Sequence, residues 1–316
     1  MGNLFTGAID PMNKIAVTSR SFSRNAHLRR ELELRYGTTV IDFNETGRSL
    51  EGRELVDFLR GHDKAIVALE KITEEVLSEL PELRVISKYG VGTDNLDLAA
   101  MHRHRVRLGW TGGVNKRSVS ELVISVAISL LRHVPKANNE VLRGLWRQHI
   151  GHQLSGKTVG IIGCGHIGKD LVQLLRPFGC RVLANDIVEY HDFYRENDVE
   201  PTDLSRLLTQ ADIVTLHLPY DETTRNILSE DRLALMRSTA ILINTARGGL
   251  VDEAKLKLML QSGELAGAAF DVFAFEPPED SELIQLPNFL ATPHIGGSAE
   301  EAIIAMGRAA IDGLAI

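Results

Sequence analysis

With 316 residues, 44% of them apolar and 24% charged, the chain is long enough for two domains with separate cores, and its composition is neither disordered nor collagen-like. A formal net charge of -7 argues against a general polyanion-binding surface, because non-specific affinity for nucleic acid requires a basic face that displaces counterions. Two cysteines exclude a disulfide framework, and the longest uncharged apolar run, residues 122–131, is about half of the roughly 20 residues a membrane span requires. The expectation is a cytoplasmic protein without a nucleic-acid or membrane partner.

Residues 1–11, MGNLFTGAIDP, lack the basic and apolar regions of a signal peptide and are expected to form a tail outside the fold. From Lys14, short β-branched runs alternate with longer amphipathic segments. KIAVT precedes a helical pattern over residues 24–36, TTVIDF one over 51–60, KAIVAL one over 73–80, and RVIS one over 96–104. Continuous apolar strands joined by helical crossovers predict a parallel sheet covered on both faces. The basic cluster at 103–107 falls at the end of the last pattern and reads as a solvated helix end. A long apolar helix is predicted over residues 119–134, with Pro135 marking its end. The alternation restarts near Lys157: TVGII, RVLAND, DIVTLHL, AILINT and AGAAFD are predicted strands, and residues 298–314 form a final helix.

The sequence GCGHIG, with Gly163, Gly165 and Gly168, follows TVGII directly and precedes a helical run over 169–175. Such a turn between strand and helix suits a dinucleotide. The first glycine permits the tight turn, the second lets backbone approach a pyrophosphate, the third allows close helix-to-strand packing, and N–H groups at the helix start face the anion. RVLAND ends in Asp186, about 20 residues further on, where a carboxylate accepts hydrogen bonds from the adenosine ribose. Asp186 would repel a 2′-phosphate, and Ile187 and Val188 offer it no cation, so NAD is favoured over NADP.

Further segments are KYGVGTDNLD at 88–97, LHLPYDETT at 216–224, NTARGGLVDE at 244–253, DVFAFEPPED at 271–280 and TPHIGG at 292–297. Together with GCGHIG they resemble, in order and spacing, the signature of the D-isomer specific 2-hydroxyacid dehydrogenases, and most resemble the short phosphoglycerate-dehydrogenase-like members. The resemblance covers nearly all of the chain from about residue 12. It implies an α/β architecture of two Rossmann-like domains with parallel sheets, one flavodoxin-like and one NAD-binding. The substrate domain would comprise residues 12–112 and 297–316, the cofactor domain residues 113–296, and the active site the cleft between them. It also implies a homodimer paired through the cofactor domain.

The catalytic set implied by the resemblance is Arg247, Glu276 and His294. Removing hydride from an alcohol carbon requires a proton to leave the hydroxyl, which an imidazole can take, and that role falls to His294. Glu276 would fix the imidazole tautomer and stabilise the cation. Arg247 would bind the substrate carboxylate through its planar fork, with Gly248 and Gly249 leaving room for close approach. The resemblance assigns cofactor contacts to Gly163, Gly165, His166, Ile167, Gly168 and Asp186, then to His217, Leu218, Pro219 and Thr224. It adds Thr245, Ala246 and Arg247, and finally Asp271, His294 and Gly297. Structural roles stand beside the cofactor role for Asp271, as a strand-end cap, and for His217, as a core histidine. Substrate contacts fall to Lys88, Val91, Gly92, Arg247 and His294, and NKRSVSE at 115–121 resembles the interdomain helix start beside the nicotinamide.

The phosphoglycerate pattern places arginines where this chain has Lys88 and Ala68, so the 2-hydroxy acid itself stays open; glyoxylate, hydroxypyruvate and larger sugar acids are alternatives. Formate dehydrogenases carry glutamine at the position of Glu276, which disfavours them. A rival of another class is an NAD-sensing co-repressor, which shares the fold.

Overall fold

The computed structural model describes residues 14–316; the expected tail at 1–11 lies outside the described residues. The chain divides into two compact units, one ending at Asn115 and resuming over Glu300–Ile316, the other spanning Lys116–Ala299. The sequence had put the divisions at 112 and 296.

The first unit is built on strands β1 Lys14–Val17, β2 Val40–Phe43, β3 Lys64–Val67, β4 Val85–Lys88 and β5 Arg107–Gly109. All pairs are parallel and the order is β2-β1-β3-β4-β5, a flavodoxin-like order. The inner strands are apolar because helices cover both faces; Ile15, Val17, Ile66 and Ile86 have no exposed surface. The closing helix Glu300–Gly313 belongs here for a steric reason. A Cβ on Gly109 would lie 2.2 Å from the Gly313 carbonyl oxygen, and one on Gly307 would lie 2.4 Å from the Leu28 methyls. Ser87 Oγ, on β4, donates to the Ala310 carbonyl at 2.6 Å.

The second unit contains β6 Thr158–Ile162, β7 Arg181–Asn185, β8 Val199–Pro201, β9 Ile213–Leu216, β10 Ile241–Asn244, β11 Gly267–Phe270 and β12 Phe289–Ala291. These form one parallel sheet ordered β12-β11-β10-β9-β6-β7-β8. Strand order reverses at β6 and β9, which creates a switch-point crevice outside their carboxyl ends. Both units are therefore α/β with parallel sheets, as the sequence predicted.

Two features differ from expectation. Strands β5, β8 and β12 were not anticipated; each has three residues and lies at a sheet edge, too short to carry a periodic signal. Pro135 does not end the long helix. That helix spans Lys116–Leu131, His133 turns the chain in left-handed backbone (φ 54°), and Pro135 sits in the first turn of a new helix, Val134–Leu142. Proline's fixed φ and missing N–H suit a first turn, where no intrahelical donor is needed. Among the described residues no single helix is long and apolar enough to cross a membrane.

Candidate active site

The glycine turn leaves β6 and enters helix His166–Leu175, which starts inside the motif and three residues earlier than predicted. Gly163 has φ 93°, and a Cβ on it would come within 2.6 Å of the His217 carbonyl oxygen. A Cβ on Gly168 would meet the Gly163 carbonyl oxygen at 2.5 Å, whereas one on Gly165 would meet nothing within 4 Å. Two glycines thus serve close packing while the middle one opens onto space that a pyrophosphate fits. His166 is exposed and Ile167 half-buried at the same helix start.

Asp186 immediately follows β7. Its carboxylate accepts the Cys164 N–H at 2.6 Å through Oδ2 and the Val188 N–H at 2.9 Å through Oδ1. Each oxygen keeps lone-pair capacity for a ribose hydroxyl. Ile187 is fully exposed beside it, with no cation in the following turn.

Beyond β9 and β10 stand two buried polar atoms without a hydrogen-bond partner, His217 Nδ1 and Thr245 Oγ1. Such atoms cost roughly 1–3 kcal/mol each when left unpaired, so they fit a polar ligand that would satisfy them. Leu218 packs at Gly163, the Pro219 carbonyl accepts the Thr224 hydroxyl at 2.8 Å, and the Ala246 N–H donates to Asn244 Oδ1 at 3.1 Å. The open glycine, the Asp186 carboxylate with lone pairs to spare and the unpaired atoms together suit a dinucleotide.

His217 Nε2 lies 3.1 Å from Thr215 Oγ1, and burial pushes the imidazole pKa down to about 3. The ring is therefore neutral in the folded chain. An unfolded histidine titrates near 6.5, so between that value and about 3 the unfolded state takes up a proton that the native state refuses. The contribution is complete above pH ~6.5 and is lost as pH falls, with a slope of at most about 1.4 kcal/mol per pH unit. Urea unfolding at successive pH values between about 6.5 and 4.5 should show a shallower acid loss for His217→Gln than for the native chain. Equal slopes would place the titrating group elsewhere.

Two loops beyond the carboxyl ends of β11 and β12 bring Glu276 and His294 together. His294 Nδ1 is 2.8 Å from Glu276 Oε2, and Glu276 Oε1 accepts the Phe273 N–H at 3.2 Å. An ionised carboxylate only accepts, so Nδ1 carries the hydrogen and Nε2 is left for a reacting group. His294 has φ 54°, an unusual value for a residue with a side chain. Asp271, for which a cofactor contact and a strand-end cap were both expected, is buried, and its carboxylate accepts the Thr292 hydroxyl at 2.6 Å and the Ile295 and Gly296 N–H groups at 2.7 Å each. It shapes the loop that bears His294; Gly297, half-buried, ends that turn.

Arg247 stands half-buried just beyond β10, its own carbonyl accepting from Asn244 Nδ2 at 2.8 Å and its guanidinium donating to the Ala246 carbonyl at 2.7 Å. A Cβ on Gly248 would lie 1.9 Å from the Phe273 carbonyl oxygen, so only glycine lets the Arg247 turn abut the segment leading to Glu276. Glu253, which the sequence did not single out, braces that segment by accepting the Ala274 N–H at 3.0 Å, and burial raises its pKa. A carboxylate in the first turn of helix Glu253–Ser262 signals only a helix start.

In the first unit, Lys88 is buried at the end of β4, and its ammonium donates to the Ala68 carbonyl and to Asn95 Oδ1 at 2.9 Å. It ties the loop after β3 to the glycine loop 89–92. Val91 and Gly92 are half-buried there, and the Trp110 indole N–H donates to the Val91 carbonyl at 2.9 Å.

The family described as D-isomer specific 2-hydroxyacid dehydrogenase, NAD binding domain, matches residues 124–296. The chain belongs to this family. D-3-phosphoglycerate dehydrogenase of Methanocaldococcus jannaschii is 36% identical over 267 residues, covering 83% of this chain and 51% of that protein. Hydroxypyruvate reductase of Thermotoga maritima is 34% identical over 265 residues, covering 81% of this chain and 85% of that protein. The chain spans about half the length of the first two curated relatives it matches, 51% and 47%. D-lactate dehydrogenase from Aquifex aeolicus, solved with NAD and lactic acid, shares the fold with a TM-score of 0.83 at 24% identity, covering 95% of this chain and 93% of that one. Membership makes NAD the cofactor whose site the glycine turn and Asp186 fit.

Proposed function

We propose that the chain catalyses the reversible NAD-linked interconversion of a D-2-hydroxy acid and a 2-keto acid. The observation that carries this reading is the 2.8 Å hydrogen bond between His294 and Glu276, on loops at the carboxyl ends of strands in the same parallel sheet whose β6 leads into the glycine turn. In the direction of reduction, Arg247 holds the substrate carboxylate and polarises the adjacent ketone. The nicotinamide, when bound, supplies the hydride that reduces C2. The His294 imidazolium releases its Nε2 proton to the carbonyl oxygen, which becomes the hydroxyl, while Glu276 keeps Nδ1–H in place. In oxidation, neutral His294 takes the hydroxyl proton at Nε2 and Glu276 stabilises the cation. With side-chain exposures of 48% and 40%, the pair can exchange its proton with solvent.

Lys88, whose ammonium is engaged by Ala68 and Asn95, supports an unphosphorylated keto acid over a phosphorylated one. A panel of pyruvate, glyoxylate, hydroxypyruvate and phosphohydroxypyruvate, assayed with NADH and NADPH, tests this. Turnover of an unphosphorylated acid is expected, with NADH preferred by about tenfold or more because Asp186 repels a 2′-phosphate. NADH binding without turnover of any acid would instead favour an NAD-sensing binding protein.

The same reading makes the chain a homodimer. Leu142, Trp146 and Ile150, at and beyond the end of helix Val134–Leu142, are 75%, 86% and 97% exposed. Clustered apolar exposure of this kind marks an interface. Trp146→Glu should shift sedimentation toward monomer while kcat/KM per folded chain is measured alongside; unchanged sedimentation would count against this face. Unbridged Cys164 and Cys180 fit a reducing compartment, and the proposed location is the cytoplasm.

A further inference from the structure

The loop that carries His294 is gripped from two directions. From just beyond β11, the Asp271 carboxylate binds the Thr292 hydroxyl and the Ile295 and Gly296 N–H groups, while the Asp271 carbonyl accepts the His294 N–H at 2.9 Å. From the start of helix Lys116–Leu131, the Ser118 hydroxyl donates to the Gly296 carbonyl at 2.6 Å and accepts the Ala299 N–H at 3.4 Å. Gly296 is wedged between the two: a Cβ on it would lie 3.1 Å from Asp271 Oδ2 and 3.5 Å from a Val119 methyl.

The grips are not equivalent. Asp271 fixes N–H groups, whereas Ser118 fixes the Gly296 carbonyl and with it the peptide plane leaving the turn. Left-handed backbone at a residue bearing a side chain persists only where its surroundings impose it. A turn released on the carbonyl side can relax at His294 and re-aim the imidazole, and catalytic groups tolerate only about 0.5 Å or 10–20° of error.

The same helix start reaches the dinucleotide turn. Arg117 forms a bidentate ion pair with Asp170 at 2.9 and 3.0 Å, and the Ser120 hydroxyl donates to the Ile167 carbonyl at 3.3 Å. Asp170 and Ile167 both lie on helix His166–Leu175. One helical turn is thus anchored to the cofactor helix by Arg117 and Ser120 and holds the histidine loop by Ser118.

We propose that Ser118 is a positioning residue for His294, holding the Gly296 peptide so that the imidazole is aimed relative to a cofactor seated on the adjoining helix. This rests on the proposed role of His294 in proton transfer. Ser118→Ala should lower kcat about tenfold and leave the NADH Kd within about twofold, because the cofactor helix keeps its Arg117 and Ser120 anchors. Ser118→Thr, which retains the hydroxyl, should restore most of the rate. In a His294→Ala background, Ser118→Ala should cost nothing further in residual kcat, since a residue acting through the imidazole has nothing left to position. Full kcat in Ser118→Ala, or the same tenfold loss with His294 absent, would overturn the proposal. If the alanine variant does not fold, Ser118→Cys, similar in size with a weaker donor, is measured in the same two backgrounds. A His294→Ala chain with native kcat would sink the proton-transfer reading itself, whereas loss there without loss in Ser118→Ala sinks only the positioning role.

Discussion

His294→Ala is expected to lower kcat by about 10²–10⁴-fold while the NADH Kd stays within about twofold, the range associated with losing a positioned general acid–base group. Nε2 is the ring atom left available once Glu276 takes Nδ1–H at 2.8 Å. No other described imidazole is placed on that loop. The substitution also touches a strained backbone, because His294 sits at φ 54° and alanine is poorly suited to that region. His294→Asn separates the two effects: asparagine tolerates left-handed backbone but cannot carry the proton, so it should match alanine in kcat while melting closer to the native chain. Glu276→Gln should fall between native and His294→Ala, since an amide oxygen can still accept the Nδ1 hydrogen but lacks the charge that stabilises the cation. Equal losses of kcat and NADH affinity in both histidine variants would mark the residue as structural.

The parts of this molecule visible in its sequence are those whose physics is local. GCGHIG could be read because each glycine answers a constraint within the turn itself, and the space around Gly165 is what the second glycine of such a turn provides. The apolar runs TVGII and AILINT could be read because an inner parallel strand is buried on both faces. Edge strands such as β8, with sequence VEP, carry no such signature. Pro135 misled because proline is compatible with both a helix end and a first turn, and the choice was made by His133 in left-handed backbone. The loop-shaping contacts of Asp271 escaped for a different reason. Its place in DVFAFEPPED suggested a ligand contact, but its partners at Thr292, Ile295 and Gly296 lie more than twenty residues away in sequence. Ser118 was hidden in the same way, since its bond to Gly296 spans most of the second unit.

Arg247→Ala is expected to lower kcat/KM for the 2-keto acid by about 10²–10⁴-fold, because two charge-assisted hydrogen bonds to a carboxylate contribute roughly 1.5–3 kcal/mol each. Arg247→Lys should recover little of that, since an ammonium offers point charge without the planar fork. The surrounding structure explains why position matters as much as charge. Asn244 holds the Arg247 carbonyl, and Gly248 lets the turn press against the Phe273 backbone that leads to Glu276. Gly248→Ala would force a Cβ to within 1.9 Å of the Phe273 carbonyl oxygen, so it should displace both the guanidinium and the segment bearing Glu276 although it removes no functional group. The substrate that distinguishes these roles is one without a carboxylate. A simple ketone lacks the carboxylate that Arg247 would bind and keeps only the carbonyl that it would polarise, so Arg247→Ala should lose far less on it than on the keto acid, while His294→Ala should lose proton transfer on both. A native chain that reduces the plain ketone as efficiently as the keto acid would remove Arg247 from substrate recognition.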